Sequence, residues 1–210
     1  MDLREIDPSD PFFLEAMHLY IASFPPVERK PEDAIISLLK GGHYQLYVAV
    51  DNGSLVGLSA LYLFEDLRMA SLDYLAVAPF KQGLGLGTLL FNHALRQAAR
   101  QIPHFLGLVM EVQREDLALE PKEQRIREAR LRFYRRLGAK VITRSYFLPP
   151  QSGTKPEEMY LLILPAVHPI LLDKDQMLNI IWALHFRVYG YVRKDLLELT
   201  AKGLPGRLEL

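Results

Sequence analysis

The sequence predicts an α+β fold, in which a mixed, mostly antiparallel central sheet of about seven strands is flanked by helices and followed by a C-terminal helical extension. Three observations lead to this prediction. Runs of β-branched, aromatic and small apolar residues, separated by turn residues, occupy residues 44–78. The apolar residues change to helical spacing at Leu86. Beyond Pro165 the spacing is that of helices alone.

The composition is that of a soluble globular protein. The chain has 210 residues, 25 basic and 25 acidic side chains, 50% hydrophobic residues and no cysteine, which excludes disorder, collagen and disulfide scaffolds. At this length a single core can bury roughly 70% of the surface of an extended chain, so we expect one large domain with an appendage. A formal net charge of zero gives no field that would concentrate DNA, RNA or an anionic membrane. We therefore expect a small-molecule ligand and neither a nucleic-acid nor a membrane partner.

Several further classes of chemistry and targeting are not expected. Without cysteine, thiol nucleophiles and thiolate zinc sites are excluded. The six histidines contain no His-x-x-x-His pair, so we expect no bound metal. Residues 1–5 lack a basic run followed by an apolar stretch, and the apolar tract at residues 160–170 is interrupted by two prolines. We therefore expect no signal peptide, no membrane anchor and a cytoplasmic protein.

One strand and two helices open the chain. Residues 3–6 have strand character, and the proline-containing turn after them can cap a helix that ends at Ala22. A second helix is predicted over residues 31–40. Pro31 suits a helix start, and Gly41 follows the helix end, as is usual for these two residue types.

A meander of three antiparallel strands follows the two helices. Residues 44–50 and 54–64 flank Asp51-Asn52-Gly53, which is a strong signal for a tight hairpin. Residues 68–78 form the third strand.

The remaining elements alternate between helix and strand before the chain becomes helical. A helix begins near Leu86 and ends before Pro103. The other predicted elements are a buried strand at 105–112, a basic helix at 121–137, strands at 139–147 and 159–164, and helices at about 174–189 and 192–201. The last two helices carry a broad apolar face beside Trp182. That face covers the protein's own sheet, forms a dimer interface or closes a ligand cleft.

The most informative segment for function joins the third meander strand to the next helix. It reads Leu75-Ala76-Val77-Ala78-Pro79-Phe80-Lys81-Gln82-Gly83-Leu84-Gly85-Leu86-Gly87-Thr88. Glycine permits a positive φ and a close approach of the backbone to a ligand, and the first amides of a helix point outward at its N-terminus. Phosphate binds readily in such a place. Taken alone, the glycines are equally compatible with a tight turn made for packing.

Spacing separates three kinds of phosphate-binding loop. The nucleotide P-loop needs a lysine and then Ser or Thr after its last glycine, but Gly87 is followed by Thr88 and Leu89. The dinucleotide fingerprint needs a glycine three positions after its second one, where this chain has Thr88. Neither of these two loops fits.

A third kind of loop fits the spacing. The pattern Gln82-x-x-Gly85-x-Gly87 at the end of a meander strand resembles the acyl-CoA pyrophosphate loop of the GNAT superfamily of N-acyltransferases. The pattern Tyr134-x-x-x-Gly138 resembles a second, helical motif of that family. The order of elements is similar as well. The resemblance predicts a GNAT-like acetyltransferase domain over residues 1–165 and a helical extension over residues 166–210, packed on the domain or on a partner subunit.

The resemblance implies an N-acetyltransferase. Such an enzyme transfers an acetyl group from acetyl-CoA to a primary amine of a small molecule, an amino acid or a peptide, by direct attack through a tetrahedral oxyanion. It uses acetyl-CoA as acyl-donor cosubstrate and needs no metal. A homodimer is compatible with this interpretation. The alternative is a catalytically silent acyl-CoA-binding or sensor module whose acceptor pocket is closed.

The resemblance also implies roles for individual residues. The Leu75 backbone would meet the acyl carbonyl, and the Val77 backbone would pair with the pantetheine arm, with Ala76 between them. Tyr134 aligns with the tyrosine that protonates the CoA sulfur, and an unperturbed tyrosine pKa near 10 keeps its hydroxyl a donor at neutral pH. Without the motif, a tyrosine with a buried ring and a wet tip is the ordinary interpretation. The backbone amides that would bind the pyrophosphate are those of Gln82, Gly83, Leu84, Gly85, Leu86, Gly87 and Thr88.

The general base is predicted from the placement of carboxylates. Glu111 is the first candidate, because it interrupts an apolar run on the strand expected beside the glycine-turn strand. A rim carboxylate paired with Arg114 or Arg130 is the equal alternative. Asp73 is the second candidate, because it shares a strand face with Leu75. One base position of the family falls on Ser71, which does not act as a base alone.

The link between Glu111 and Tyr134 departs from the family pattern. Residues 113–130 are longer and more charged than the usual link, and the family's asparagine is absent from its expected place. An acceptor site is one interpretation of this insertion. The charged run at residues 122–128 is more typical of a solvated helix face.

Overall fold

The computed structural model describes residues 1–150 and 155–210, and the chain forms two compact units. The first unit comprises Met1–Asp66 and Ala70–His104, and the second comprises Leu67–Met69 and Phe105–Leu210.

The first unit holds four strands and three helices. Its strand order is β1-β2-β3-β4, and β2 pairs antiparallel with both β1 and β3. Asn52 and Gly53 form the turn of the β2–β3 hairpin, with φ of 51° and 75°, as a two-residue turn of the predicted kind requires. The elements are β1 (Asp2–Ile6), α1 (Phe13–Ser23), α2 (Glu32–Lys40), β2 (Tyr44–Asp51), β3 (Ser54–Phe64), β4 (Met69–Val77) and α3 (Leu86–Gln101).

Two apolar clusters hold the helices of the first unit on its strands. In one cluster, α1 and α2 bury residues such as Met17 and Ile35 against Leu46 and Leu58 of the strands. In the other, Leu86 and Leu90 of α3 pack with β2 and β3. The N-terminal turn of α3 is therefore anchored in the core although the segment before it is exposed.

In the part of the second unit that the structure describes, there are three long strands, a short strand pair and three helices. Its long strands are in the order β5-β7-β6, and β7 runs antiparallel to both neighbours. The short strands β8 and β9 pair with each other. The elements are β5 (Gly107–Gln113), α4 (Pro121–Arg136), β6 (Lys140–Leu148), β7 (Glu157–Pro165), β8 (Leu171–Asp173), α5 (Lys174–Ala183), α6 (Lys194–Lys202) and β9 (Arg207–Glu209).

The C-terminal extension packs on β6. The Thr200 hydroxyl of α6 accepts the amide of Phe147 at 3.2 Å, and the Thr143 hydroxyl lies 3.5 Å from the Gly203 carbonyl. The ring of His185 meets the ring of Tyr146 edge-on, with 5.7 Å between centroids. The extension therefore covers strands of its own chain.

The predicted fold class is confirmed, because seven long strands in mostly antiparallel pairing alternate with helices as expected. Two details of the extension differ. The helix predicted to reach Tyr189 ends as an α-helix at Ala183 and continues as a π-helical turn over Leu184–Val188. β8 and β9 were not predicted, since three residues are too few to show an alternating pattern. The domain boundary expected at residue 165 stays a prediction. None of the helices in residues 1–150 and 155–210 is long and apolar enough to cross a membrane.

We predict that Gly57→Ala destabilises the first unit. A Cβ at this position would lie 3.0 Å from the Ala76 carbonyl oxygen and 2.6 Å from Leu90 Cδ1, and overpacking of this kind costs about 1–3 kcal/mol of unfolding free energy. Urea denaturation measures the change. Gly206→Ala is the matched control, because a Cβ there meets nothing within 4 Å. Equal stability of the two variants would contradict the close packing of α3 on β3.

Candidate functional site

The turn between β4 and α3 has the backbone conformation that its glycines predict. Gly85 is the N-cap of α3 and lies in the left-handed region, with φ 83°. Gly83 has φ 78°. A Cβ at either position would meet nothing within 4 Å, so there is room for a side chain. Glycine is favourable here because the backbone has a positive φ.

The same turn is open to solvent and presents the positive end of a helix. The side chains of Phe80 and Leu84 are 70% and 73% exposed. The Leu89 amide bonds to the Gly85 carbonyl at 3.1 Å, whereas the amides of the preceding helical residues have no earlier carbonyl within the helix. These amides and the helix dipole together form a site that suits an anion such as phosphate.

Two side-chain contacts hold the turn in place. The side-chain amide of Gln82 donates to the Val77 carbonyl at 3.1 Å, which links the turn to the end of β4. The Lys81 ammonium donates to Asp51 at 2.8 Å, which links it to the β2–β3 hairpin and lowers the pKa of the Asp51 carboxyl. Because the Lys81 charge is paired with Asp51, an anion at the turn would be bound mainly by backbone amides.

The end of β4 joins this turn to the core of the first unit. Leu75 and Val77 are half-buried against the α3 cluster, while Ala76 is buried in the cluster of α1 and α2. The Ala78 amide bonds to the Val56 carbonyl at 2.9 Å. The backbone roles of Leu75, Ala76 and Val77 toward a ligand stay predictions.

Asp73 is part of a buried ion pair. The Lys30 ammonium donates to both Asp73 oxygens at 2.8 and 2.9 Å, and the two side chains are 3% and 2% exposed. The Tyr44 hydroxyl donates to the same carboxylate at 2.6 Å, and Lys30 Nζ lies 5.0 Å from the centre of the Tyr74 ring. Burial raises the pKa of Tyr44 and Tyr74, so both hydroxyls remain neutral donors.

This ion pair joins the segment between α1 and α2 to β4. Tyr74 strengthens the link, since its hydroxyl donates to the Glu28 carbonyl at 2.9 Å and accepts the Lys30 amide at 3.3 Å. The arrangement gives Asp73 an evident structural function, and its role as a base stays a prediction. Sequence reasoning did not find Lys30, because no motif relates residues that are 43 positions apart.

Glu111 lies half-buried on β5 in the second unit and receives a hydrogen bond from the Tyr189 hydroxyl. The arginines considered as its rim partners make other contacts. Arg114 donates to Asp116 and to a glutamate of β7, each at 2.6 Å. Arg130 donates to the side-chain oxygen of Gln113 at 3.0 Å.

Tyr134 lies on α4, one turn after Arg130, and is 8% exposed. Burial raises the pKa of Tyr134 to about 12, against the opposing effect of the Arg130 charge. The hydroxyl therefore keeps its proton throughout the neutral range, where it can donate a hydrogen bond.

The charged run that was predicted to be a solvated helix face is exposed for the most part, with one exception. Arg127 is 8% exposed and donates to the Arg114 carbonyl at 2.9 Å. It also pairs with Glu123 at 2.7 Å and with Glu157 at 3.3 Å. Arg127 thus fixes α4 to the end of β5, and the run has a structural role at this position.

The predicted site residues divide between the two units. Asp73 and the residues from Leu75 to Thr88 belong to the first unit, whereas Glu111 and Tyr134 belong to the second. Within residues 1–150 and 155–210 there is no group of three His, Asp or Glu side chains that could hold a metal ion.

Comparisons with known proteins bear on the family and the fold of this chain. The model of the acetyltransferase (GNAT) family matches residues 13–139. A search of curated proteins found no match.

Solved structures of the same fold resemble the chain over most of its length. A protein from Bacteroides thetaiotaomicron assigned to the GNAT family has a TM-score of 0.72 and 22% identity, covering 91% of this chain and 100% of its own. A GNAT acetyltransferase from Elizabethkingia anophelis with acetyl-CoA bound has a TM-score of 0.55 and 18% identity, over 78% and 97% of the two chains. An aminoglycoside 6′-N-acetyltransferase in complex with coenzyme A has a TM-score of 0.59 and 18% identity, covering 80% of this chain and 98% of its own.

We predict that Asp73→Asn lowers the unfolding free energy by about 3 kcal/mol, because it leaves the Lys30 charge buried without its counter-ion. The double variant Lys30→Met/Asp73→Leu, which removes both charges, should recover most of that loss. Chemical denaturation measures both. Asp195→Asn is the matched control at an exposed pair and should have no measurable effect. Wild-type stability of Asp73→Asn together with lost activity would favour the catalytic role instead.

Proposed function

Because the chain belongs to the GNAT family of acetyltransferases, we propose that it transfers an acetyl group from acetyl-CoA to a primary amine of a small molecule, an amino acid or a peptide. The observation that carries this proposal is the open glycine turn at the N-terminus of α3. The Elizabethkingia anophelis acetyltransferase has acetyl-CoA bound, and the aminoglycoside 6′-N-acetyltransferase is in complex with coenzyme A.

In this proposal the turn binds the pyrophosphate of CoA. The amides from Gln82 to Thr88 donate to its oxygens, and the helix dipole adds a favourable potential. The backbone of Val77 pairs with the pantetheine arm, and the backbone of Leu75 contacts the thioester carbonyl. Main-chain groups make all of these contacts.

Glu111 is the proposed base. The acceptor arrives mostly as an ammonium ion, since an aliphatic amine has an unperturbed pKa near 10, and it must lose a proton before it attacks. The neutral nitrogen then bonds to the thioester carbon to give a tetrahedral oxyanion. When this intermediate collapses, the carbon–sulfur bond breaks and CoA leaves as a thiolate. The nitrogen loses its second proton to solvent water, and the neutral amide remains.

Tyr134 is the proposed donor to that departing sulfur. Its pKa of about 12 lies roughly 3.5 pKa units above that of an ordinary thiol. Complete proton transfer would therefore be unfavourable by about 5 kcal/mol. A hydrogen bond that strengthens as charge develops on sulfur stabilises the transition state without that cost.

The primary test of this function is thiol release from acetyl-CoA over a panel of amines, with CoA binding measured by calorimetry on the same sample. We expect binding without any amine and thiol release only when an amine is present. Binding with no release for any amine would instead support the silent acyl-CoA-binding module. Absence of binding would contradict both functions.

We predict that Gly85→Ala weakens CoA binding by about tenfold, because it distorts the donors aimed at the pyrophosphate. Gly53→Ala is the matched control, since Gly53 also has a positive φ with no atom near its Cβ position. Both variants should lose stability on the order of 1 kcal/mol, and only Gly85→Ala should lose CoA affinity. Acetyl-pantetheine, which lacks the diphosphate, should bind the wild type and Gly85→Ala equally. Equal CoA affinity in both variants would contradict binding at the turn.

We predict that Tyr134→Phe lowers kcat by about ten- to a hundredfold, the cost of one hydrogen bond to a charged group. Affinity for CoA should stay within about twofold of wild type, because the bond forms mainly in the transition state. Tyr47→Phe removes the hydroxyl of another buried tyrosine and should leave kcat unchanged. A wild-type kcat for Tyr134→Phe would exclude its role toward the sulfur.

A further inference from the structure

The Glu111 carboxylate has a partner from a distant part of the chain. The Tyr189 hydroxyl donates a hydrogen bond to Glu111 Oε2, although the two residues are 78 positions apart. Both belong to the second unit. Tyr189 lies in the C-terminal extension, to which the family motifs assign no role.

We propose that Tyr189 is a positioning residue for the catalytic carboxylate of Glu111. The inference rests on the proposed function, in which Glu111 is the base. The proposal gives the extension a role in catalysis, because the extension supplies the hydroxyl that bonds to the base in the same chain.

The strand register relates Glu111 to the part of β6 that the extension contacts. Glu111 pairs with Leu161 of β7, and Leu161 pairs with Thr143 of β6. Residues opposite each other on neighbouring strands present their side chains on the same face of a sheet. β6 has a register irregularity on each side of Thr143, so the pairing alone does not fix which face Thr143 presents. The Thr143 hydroxyl lies 3.5 Å from the Gly203 carbonyl, so the extension contacts β6 at the position that pairs with this row.

A second row of paired residues on the same three strands also leads to a contact with the extension. Gln113 pairs with Met159, and Met159 pairs with Tyr146. The Tyr146 ring contacts the His185 ring of the extension. The extension thus contacts β6 at both of these paired positions.

The π-helical turn after α5 places Tyr189 at the end of this covering segment. The Tyr189 amide bonds to the Leu184 carbonyl at 3.3 Å, the five-residue spacing of a π-helix. Compared with a continuous α-helix, the extra residue rotates the following side chain by about 100°. Gly190, with φ 82°, ends the turn directly afterwards. The backbone of this turn therefore sets the direction in which the Tyr189 side chain leaves the main chain.

The hydrogen bond has two chemical consequences for a base. It fixes the orientation of the carboxylate, which must meet the amine proton in a defined geometry. It also favours the ionised form, which is the form that accepts a proton. Loss of the donor should therefore leave a smaller fraction of active base at a given pH.

Other titratable or charged groups lie on the elements around β5. They include Arg130 and Tyr134 on α4, Glu157 and Glu158 on β7, and His185 and Arg187 in the extension. Burial lowers the pKa of His185 to about 4, so this ring is neutral where acetyl transfer is measured. Burial keeps Tyr134 protonated over the same range.

The test compares Tyr189→Phe with wild type in the full-length chain, using the pH profile of kcat/KM for the acceptor. We expect the midpoint of the acidic limb to rise by about one pH unit. We expect kcat/KM at neutral pH to fall about tenfold. The KM for acetyl-CoA should not change. Titration of the acceptor itself is common to all variants and does not affect the comparison.

Three controls make the result specific. Tyr191→Phe removes a hydroxyl two residues away, which bonds to the Pro150 carbonyl, and should behave as wild type. In a Glu111→Gln background, the additional change Tyr189→Phe should have no further effect on the rate. Carbon-13 NMR of the Glu111 carboxyl in the ligand-free protein should show the same rise in titration midpoint without any turnover.

A wild-type rate and midpoint in Tyr189→Phe would overturn the positioning role, and so would an equal loss in Tyr191→Phe. If wild-type protein releases no thiol with any amine while the Glu111 carboxyl still responds to Tyr189→Phe, the proposed function fails and the contact between the two residues stands.

Discussion

In the proposed function, ligand binding depends on one backbone feature, the exposed N-terminus of a helix whose first turn is anchored in an apolar core. Leu86 and Leu90 hold α3 against the strands, while the glycines before them leave the amides open to a ligand. Recognition by main-chain donors needs a fixed backbone, and the Lys81–Asp51 bond supplies part of that rigidity. In this proposal, binding is a property of the backbone at one turn, and side chains contribute little to it.

The two candidate carboxylates show how environment assigns different tasks to the same chemical group. Asp73 is buried with an ammonium and a phenol, and a desolvated pair with good geometry fixes neighbouring segments in place. Glu111 is half-buried and receives a neutral phenol as donor. A neutral donor orients a carboxylate without cancelling its charge, which is what a base needs. This contrast is the physical reason for preferring Glu111.

Sequence reasoning was most successful where the signal is local. The hairpin at Asn52 and Gly53, the helix that begins after Gly85 and the succession of long strands along the chain all follow from turn residues and periodicity, which depend on neighbours along the chain. The position of β7 between β5 and β6 could not be derived in that way. Neither could the bond between Lys30 and Asp73 nor that between Tyr189 and Glu111, because each joins segments that only the folded chain brings together. The π-helical turn after Ala183 also has no compositional sign, since its residues have an ordinary helical pattern.

The most direct measurement of pyrophosphate binding at the glycine turn is a titration of CoA into nitrogen-15-labelled protein, followed by amide chemical shifts. We expect the largest shift changes on the amides from Gly83 to Thr88. We also expect that 3′,5′-ADP, which carries no diphosphate bridge to pantetheine, changes them far less. Large changes elsewhere with these amides unaffected would contradict binding at this turn.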